Sequence, residues 1–144
     1  MMSEGGKAAL TNQTWSPSKA CADFVADLQY ADIPAAVIDT MKRDTLDWIG
    51  CAVGGAADRS SQPIKAVADV LGGNSHATSI DCGRRNVVLA AMSNAYFGHI
   101  LEMDDVDRDS ISHPATPNLA AAFAAAEFAG KQGKDVLLAA VCGF

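Results

Sequence analysis

The amino-acid sequence predicts an all-α protein. Apolar residues recur every three to four positions in most of its segments, which is the spacing of one face of an α-helix. Proline and glycine residues separate these segments at points where helices begin and end. Residues that favour strands are concentrated in one short segment, residues 76–82. We therefore predict a helical bundle of five to six helices with at most a short hairpin.

The composition narrows the possible classes of protein. A hydrophobic content of 49% in 144 residues is enough for one domain with a core, or for part of a larger domain. The net charge of −6 argues against a nucleic-acid-binding surface, which needs a basic patch. No apolar run reaches the ~18 residues that a membrane span needs.

The cysteines and the N-terminal residues indicate where in the cell the protein is located. The four cysteines are far apart and form no CxxC pair, which is typical of reduced thiols in a cytoplasmic protein. The N-terminal residues lack the charged and apolar regions of a signal peptide. We predict a cytoplasmic protein with a flexible tail at residues 1–15 and a helical domain at residues 16–144.

The first two helices are marked by prolines. Ser16 can cap a helix whose first residue is Pro17, and the apolar spacing continues to near Tyr30. Pro34 opens the second helix, whose later turns are rich in small residues that allow close packing. Gly54 and Gly55 are expected to end it.

A third helix and a short extended segment follow. The helix begins at residues 60–63 and ends at residues 72–74, where two glycines precede an asparagine. Residues 76–82 contain β-formers, and residues 83–85 follow as a turn. We predict a minor extended piece or a hairpin in this segment.

The last three helices are mostly apolar. Asn86 can cap a fourth helix, which runs from Val87 to Met103 and is apolar nearly all round, so we expect it to be buried. After a charged loop, Pro114 and Pro117 bracket the entry to a fifth, alanine-rich helix that ends at Gly130. A sixth begins near residue 134 and reaches Phe144 without a terminating signal, so we expect the helical domain to be incomplete at its C-terminus.

Residues 94–117 form the predicted functional site. They contain two of the chain's three histidines and five of its seventeen acidic residues, and they lie between apolar segments. Packing explains such dense charge poorly, because buried charged groups must be paired or lose their charge. Loops that are held by rigid elements are also common places for binding and catalytic residues.

The two histidines in this stretch have different surroundings. His99 lies on the apolar fourth helix, where a histidine is more often a hydrogen-bonded core residue than a catalyst. Glu102 lies three residues further on, on the same helical face, and can hold the ring of His99 in one tautomer. His113 precedes Pro114 in a restricted loop, where no helical pattern explains it. Histidine exchanges protons near neutral pH, so His113 is the stronger candidate for proton transfer.

A calcium site is not predicted. Asp105, Asp107 and Asp109 occupy the first, third and fifth places of a calcium-binding loop. The sixth place is Ser110 instead of glycine, and the twelfth is Thr116 instead of a bidentate glutamate. The pattern therefore fails at the two places that shape the loop and close the coordination shell.

A transition-metal site is a further alternative. His99, Glu102 and His113 offer ligands of a suitable type. Three loosely spaced residues are weak evidence, however, so we predict no metal.

The stretch Asn94–Asp105, followed by His113 and Pro114, resembles the signature of the MmgE/PrpD family. That signature reads roughly N-G-x-x-x-H-x-L-D-F-D-D-T-H, a short loop, and H-P. The resemblance extends over the whole chain, including ATSIDCGRR and EFAGKQGKDVLLAAVCGF. Members include 2-methylcitrate dehydratase, cis-aconitate decarboxylase and iminodisuccinate epimerase. The resemblance implies a large helical domain with a smaller α/β lid, of which this chain is the N-terminal part, a homodimer, and catalysis without a metal or organic cofactor.

The resemblance also implies a reaction and its residues. The shared chemistry is proton transfer next to a carboxylate of a small di- or tricarboxylic acid, followed by loss of water, loss of carbon dioxide or inversion. The implied catalytic residues are His113, Glu102 and Asp105, and the implied substrate-binding residues are Asn94, Asp104 and His99. Members of the family are roughly three times as long as this chain, so the chain alone is expected to be inactive.

Several positions depart from the signature, and three of them bear on the chemistry. Glu102 replaces an aspartate, Val106 replaces a threonine, and Asp107 replaces a histidine. These departures favour the epimerase-like or uncharacterised branches. The alternative from a different class is a non-catalytic helical module or inactive fragment whose acidic loop binds a partner chain.

Overall fold

The computed structural model describes residues 15–144. Over these residues it contains six α-helices and one two-stranded antiparallel hairpin, so the predicted all-α class is confirmed. The elements are α1 (Pro17–Asp27), α2 (Ala35–Ala57), α3 (Gln62–Leu71), β1 (Ala77–Ser79), β2 (Gly83–Arg85), α4 (Val87–His99), α5 (Ala115–Ala129) and α6 (Gly133–Gly143). Apart from its last residue, the predicted tail lies outside the described residues, so the division at residue 16 stays a prediction.

Several helix ends follow the sequence signals. The side chain of Ser16 accepts a hydrogen bond from the backbone N–H of Lys19 at 3.4 Å and caps α1. Asn86 caps α4 in the same way through the N–H of Leu89 at 2.9 Å. Gly130 ends α5 in the left-handed conformation, with φ at +63°, which glycine adopts without a steric penalty.

The prediction that Gly54 and Gly55 end α2 is wrong. The helix continues to Ala57, because these glycines serve packing instead of termination. A Cβ atom on Gly55 would lie 2.0 Å from the carbonyl oxygen of Phe97 on α4. The small residues at the end of α2 thus allow α4 to approach closely, as the sequence also indicated.

The main core lies where α2, α4 and α5 meet. Its largest members are Trp48, Phe97 and Leu119, all almost fully buried. Trp48 stacks on Phe123 with ring centroids 5.7 Å apart. Since α4 and α5 both contribute to this core, the loop that joins them is held at its two ends by packed helices.

A hairpin is present and packs beside α4, but its turn lies at residues 80–82, and residues 83–85, predicted as the turn, form β2. Strands β1 and β2 pair with Ala77 opposite Arg85 and Ser79 opposite Gly83. The side-chain amide of Asn94 on α4 fixes it there. Its oxygen accepts from the N–H of Ile80 at 2.8 Å, and its nitrogen donates to the carbonyl of Thr78 at 2.9 Å.

The boundaries of α4 and α5 differ from the prediction. The fourth helix ends at His99 instead of Met103, and the fifth begins at Ala115 instead of after Pro117. After His99 the chain turns, and Glu102 adopts a left-handed conformation with φ at +52°. Apolar periodicity alone could not predict this exit, because the residues after His99 are still mostly apolar. The earlier end of α4 lets the acidic residues that follow fold back under His99.

Candidate functional site

The candidate site lies where α4 ends and the chain returns to begin α5. A cavity of about 640 Å³ opens to solvent at this point. Its polar lining consists of Tyr96, His99, Glu102, Ser112, His113 and Thr116. The stretch that the sequence singled out therefore lines a cavity at the boundary between two core helices.

Asp104 lies beneath the two histidines and is the centre of the site. Its side chain is fully buried, and it accepts a hydrogen bond from the hydroxyl of Thr116 at 2.7 Å. Its two oxygens lie 3.1 and 3.2 Å from Nδ1 of His99. Nδ1 of His113 lies 3.3 Å from Oδ1 of the same carboxylate. A single carboxylate thus connects both imidazoles.

Asp104 is held in its charged form. Burial raises the pKa of this carboxyl group, but the hydrogen bonds from Thr116 and His99 oppose that effect, and the net result is a pKa below the usual value. Asp104 is therefore an anion at neutral pH, and it places a negative charge directly beneath the imidazoles.

The two imidazole rings lie against each other above this carboxylate. Their centroids are 4.7 Å apart and the ring planes meet at 70°. The side chain of His99 is 42% exposed, so this residue is not buried in the core as its apolar helix suggested, and its role stays a prediction. The side chain of His113 is 27% exposed, and its Nδ1 atom is buried without a hydrogen-bond partner. Its approach to Asp104 is close enough for charge attraction but lacks hydrogen-bond geometry.

Glu102 lies on the other side of His99. Its carboxylate oxygen is 3.3 Å from Nε2 of His99, so the predicted contact between these two residues is present. It forms although α4 has already ended, because the left-handed turn at Glu102 brings the side chain back towards the ring. The carboxylate is largely exposed and lines the cavity.

Asp105 lies beside the cavity instead of lining it. Both of its oxygens accept a hydrogen bond from the backbone N–H of Ala115, at 3.1 and 3.2 Å, at the start of α5. Burial raises the pKa of Asp105, the hydrogen bond from Ala115 opposes this, and the charges of Asp104 and Asp44 raise it further. The observed contact of this residue is therefore with the helix start.

The structure brings together His99, Glu102, Asp104 and His113, four of the six predicted site residues. Asn94 is buried behind them in its contact with the hairpin. The roles that the sequence assigned to the six residues stay predictions, because distances alone do not test them.

Sequence analysis missed two residues that shape the site. Thr116 binds Asp104, and Gly98 leaves room for it, since a Cβ atom on Gly98 would lie 3.0 Å from the hydroxyl of Thr116 and 2.6 Å from Nε1 of Trp48. The sequence does not show that a threonine in the first turn of a helix binds a distant carboxylate, or that a glycine in an apolar helix leaves room for it. Their roles depend on the tertiary packing of α2, α4 and α5.

Three groups at the site could bind a metal ion. One ligand atom from each of His99, Asp104 and His113 lies within 4.8 Å of the others, the one such group among residues 15–144. The sequence had grouped the histidines with Glu102. The loop places Asp104, and not Glu102, within reach of Nδ1 of both histidines.

The fold and the site together define a helical domain in which the loop between two core helices carries two histidines and several acidic residues. Comparison with known proteins gives the family. Residues 19–144 match the family model described as the MmgE/PrpD N-terminal domain, and the chain belongs to the MmgE/PrpD family. The resemblance found in residues 94–117 is thereby confirmed.

Two relatives show how the chain compares with longer proteins. It is 34% identical over 128 residues to cis-aconitate decarboxylase of Aspergillus terreus, an alignment that covers 84% of this chain and 26% of the relative. It is 35% identical over 131 residues to cis-aconitate decarboxylase-like protein oryM of Aspergillus oryzae, covering 85% of this chain and 27% of that protein. The chain therefore spans about a quarter of the length of these relatives. No solved structure matches it significantly.

Proposed function

We propose that this chain supplies the His–Asp–His part of the active site of a lyase or isomerase. The complete enzyme would transfer a proton next to a carboxylate of a small di- or tricarboxylic acid, without a metal or organic cofactor. The observation that carries this proposal is that two imidazoles share one buried, anionic carboxylate at an open cavity. Family membership and relatives that are named as decarboxylases support the same class of reaction.

In this proposal His113 transfers the proton. Its Nδ1 atom is buried towards Asp104, so Nε2 is the ring nitrogen left to meet a substrate. In a dehydration, neutral His113 takes the proton from carbon and a partner acid protonates the hydroxyl group, which leaves as water. In an inversion, His113 takes the proton and a partner acid returns one to the opposite face of the carbon. In a decarboxylation, the carbon that loses carbon dioxide takes a proton from protonated His113. General acid–base catalysis needs such a group within hydrogen-bond reach of the reacting atom.

Asp104 positions the rings instead of binding substrate. Its side chain is fully buried, so a substrate in the cavity meets His99 and His113 first. The carboxylate orients the ring of His99 through a hydrogen bond and lies 3.3 Å from Nδ1 of His113. Glu102 contacts His99 from the other side and can act as the partner acid or base. Asp105 and Asn94 support the site through Ala115 and the hairpin.

The substrate carboxylates need cations that residues 15–144 do not place in the cavity. Among these residues, the ones that line the cavity include no lysine or arginine, and Glu102 adds a negative charge. A di- or tricarboxylate would be repelled by such a surface. We propose that the rest of the complete enzyme supplies the cationic groups, so this chain alone is inactive.

The reaction type has two candidates. The relatives are named as cis-aconitate decarboxylases, which favours loss of carbon dioxide. The departures at Glu102, Val106 and Asp107 favour an epimerase-like reaction instead. An assay of the complete enzyme against cis-aconitate, 2-methylcitrate and iminodisuccinate would distinguish them through release of carbon dioxide, release of water or loss of optical activity. Absence of turnover across a wide panel of such acids would contradict the enzyme proposal and favour the interaction module.

We also propose a cytoplasmic homodimer, as the family resemblance implies. Several large apolar side chains are exposed on the described residues, including Leu46, Val70 and Met103, and exposed apolar surface favours association. Within residues 15–144, none of the helices has the length and apolar character needed to cross a bilayer. Sedimentation of the complete enzyme as a monomer at micromolar concentration would contradict the dimer.

A further inference from the structure

We infer that His99, Asp104 and His113 form a binding site for one divalent transition-metal ion of the zinc type. The three side chains come from the end of α4, the following loop and the residues just before α5, and they meet at the wall of the open cavity. Two imidazole nitrogens and one carboxylate oxygen form a ligand set that suits zinc and similar transition metals. Calcium and magnesium prefer ligand sets made of oxygen atoms. The cavity leaves further coordination positions open to water.

The distances from Asp104 to the two histidines match such an ion. Asp104 Oδ1 lies 3.1 Å from Nδ1 of His99 and 3.3 Å from Nδ1 of His113. Zinc bonds to nitrogen and oxygen of about 2.0–2.2 Å place neighbouring ligand atoms roughly 3.0–3.4 Å apart in tetrahedral or octahedral coordination. The three ligand atoms lie within 4.8 Å of one another, and the two pairs that include Asp104 already have the spacing that one ion needs.

His113 provides an independent observation. Its Nδ1 atom is buried, has no hydrogen-bond partner and lies next to a carboxylate oxygen. A protonated Nδ1 would be expected to donate a hydrogen bond to that oxygen, and the geometry does not allow one. A deprotonated Nδ1 would direct its lone pair towards a negative oxygen. A cation held by both atoms removes this conflict.

The surrounding residues also suit a metal site. Glu102 lies 3.3 Å from Nε2 of His99, so it can accept a hydrogen bond from the N–H at that position. This tautomer leaves Nδ1 free to bind the ion. Such a carboxylate behind a histidine ligand is a regular feature of zinc sites. Thr116 donates to Oδ2 of Asp104, which fixes the carboxylate and leaves Oδ1 towards the histidines.

The ion would act as an inhibitor and not as a cofactor, a consequence that rests on the proposed function. It would bind the nitrogens that Asp104 orients and fix both rings, so His113 could no longer change its protonation state during turnover. Metal occupancy and catalysis would therefore exclude each other. The binding itself does not depend on the reaction that the complete enzyme catalyses.

Calorimetric titration of the purified, complete protein with Zn²⁺ tests the binding, with the cysteines blocked by alkylation. We expect one ion per chain. His99→Ala and His113→Ala should each weaken binding at least tenfold, and Glu102→Gln should weaken it by about 10–100-fold, the usual effect of losing such a partner. His76→Ala is the matched control, because His76 packs on Phe128 and does not line the cavity. Unchanged zinc affinity in both His99→Ala and His113→Ala would overturn the site.

A second measurement needs no variant. Co²⁺ added to the wild-type protein should give the visible absorption of a nitrogen- and oxygen-coordinated ion, whereas a thiolate charge-transfer band would assign the ion to a cysteine and overturn the site. Zn²⁺ should then inhibit turnover over the concentration range in which it binds. Full turnover with zinc bound at His99 and His113 would contradict the proton-transfer role and leave the metal site standing.

Discussion

The hydroxyl of Thr116 donates a hydrogen bond of 2.7 Å to the buried carboxylate of Asp104. This contact joins the first turn of α5 to the loop that follows α4. It helps to keep Asp104 charged although its side chain is fully buried. Both histidines of the candidate site contact Asp104. Thr116 therefore supports the site by fixing the carboxylate that the two histidines share.

Thr116→Val removes this donor and changes the side-chain shape little. The free energy of unfolding should fall by about 1.5–3 kcal/mol, the range for a hydrogen bond to a charged group. Urea denaturation of the two proteins measures the difference. Thr116→Ser keeps the hydroxyl and is the control, which should recover most of the stability. Equal stability of Thr116→Val and the wild type would show that the bond contributes nothing.

The effect of Thr116→Val should depend on pH. The pKa of Asp104 is lowered in the folded state, so its charged form contributes stability above the unfolded pKa of about 3.9. That contribution is lost as the pH falls through the folded-state value. The stability difference between wild type and Thr116→Val should therefore be largest near neutral pH and shrink below about pH 4. Denaturation curves at several pH values check this, and a difference that grows on acidification would contradict it.

Asp105→Asn should have the opposite pH dependence. The pKa of Asp105 is raised by burial and by the charges of Asp104 and Asp44, so its ionisation above the folded-state pKa destabilises the fold. Asparagine removes the charge and can still accept the hydrogen bond of Ala115. The variant should be at least as stable as the wild type at pH 7, and lose this advantage in acid. A large loss of stability at pH 7 would contradict the expected relief of charge.

Gly98→Ala tests the close packing behind Thr116. The added Cβ atom would lie 2.6 Å from Nε1 of Trp48, so the variant should lose about 1–3 kcal/mol through overpacking. Gly50→Ala on α2 is the matched control, because nothing lies within 4 Å of its added Cβ atom. Alanine is favoured over glycine inside a helix by about 0.5–1 kcal/mol, so the control should be neutral or more stable. Similar effects of both substitutions would contradict the packing role.

Local signals in the sequence predicted the fold class and most helix starts. Ser16 and Asn86 cap their helices as expected, and Gly130 ends α5. The signals failed where tertiary contacts decide. Gly55 is inside α2 because Phe97 packs against it, and α4 ends at His99 because the chain turns at Glu102.

The candidate site could be located from the sequence but its geometry could not. The density of charge in residues 94–117 marks the region, and the spacing of His99 and Glu102 predicts their contact. The burial of Asp104 beneath the two rings depends on the path of the loop. No periodic pattern describes such a path, and the hydroxyl of Thr116 is recognised only once the loop is in place.

The proton-transfer role of His113 is the central claim, and turnover of His113→Ala in the complete enzyme tests it most directly. We expect the turnover number on the identified substrate to fall by about 10²–10⁴-fold, the usual effect of losing a general acid or base. The melting temperature should change little, because His113 lies in a loop and is partly exposed. His76→Ala should keep its turnover. Near-normal turnover of a folded His113→Ala enzyme would contradict the account.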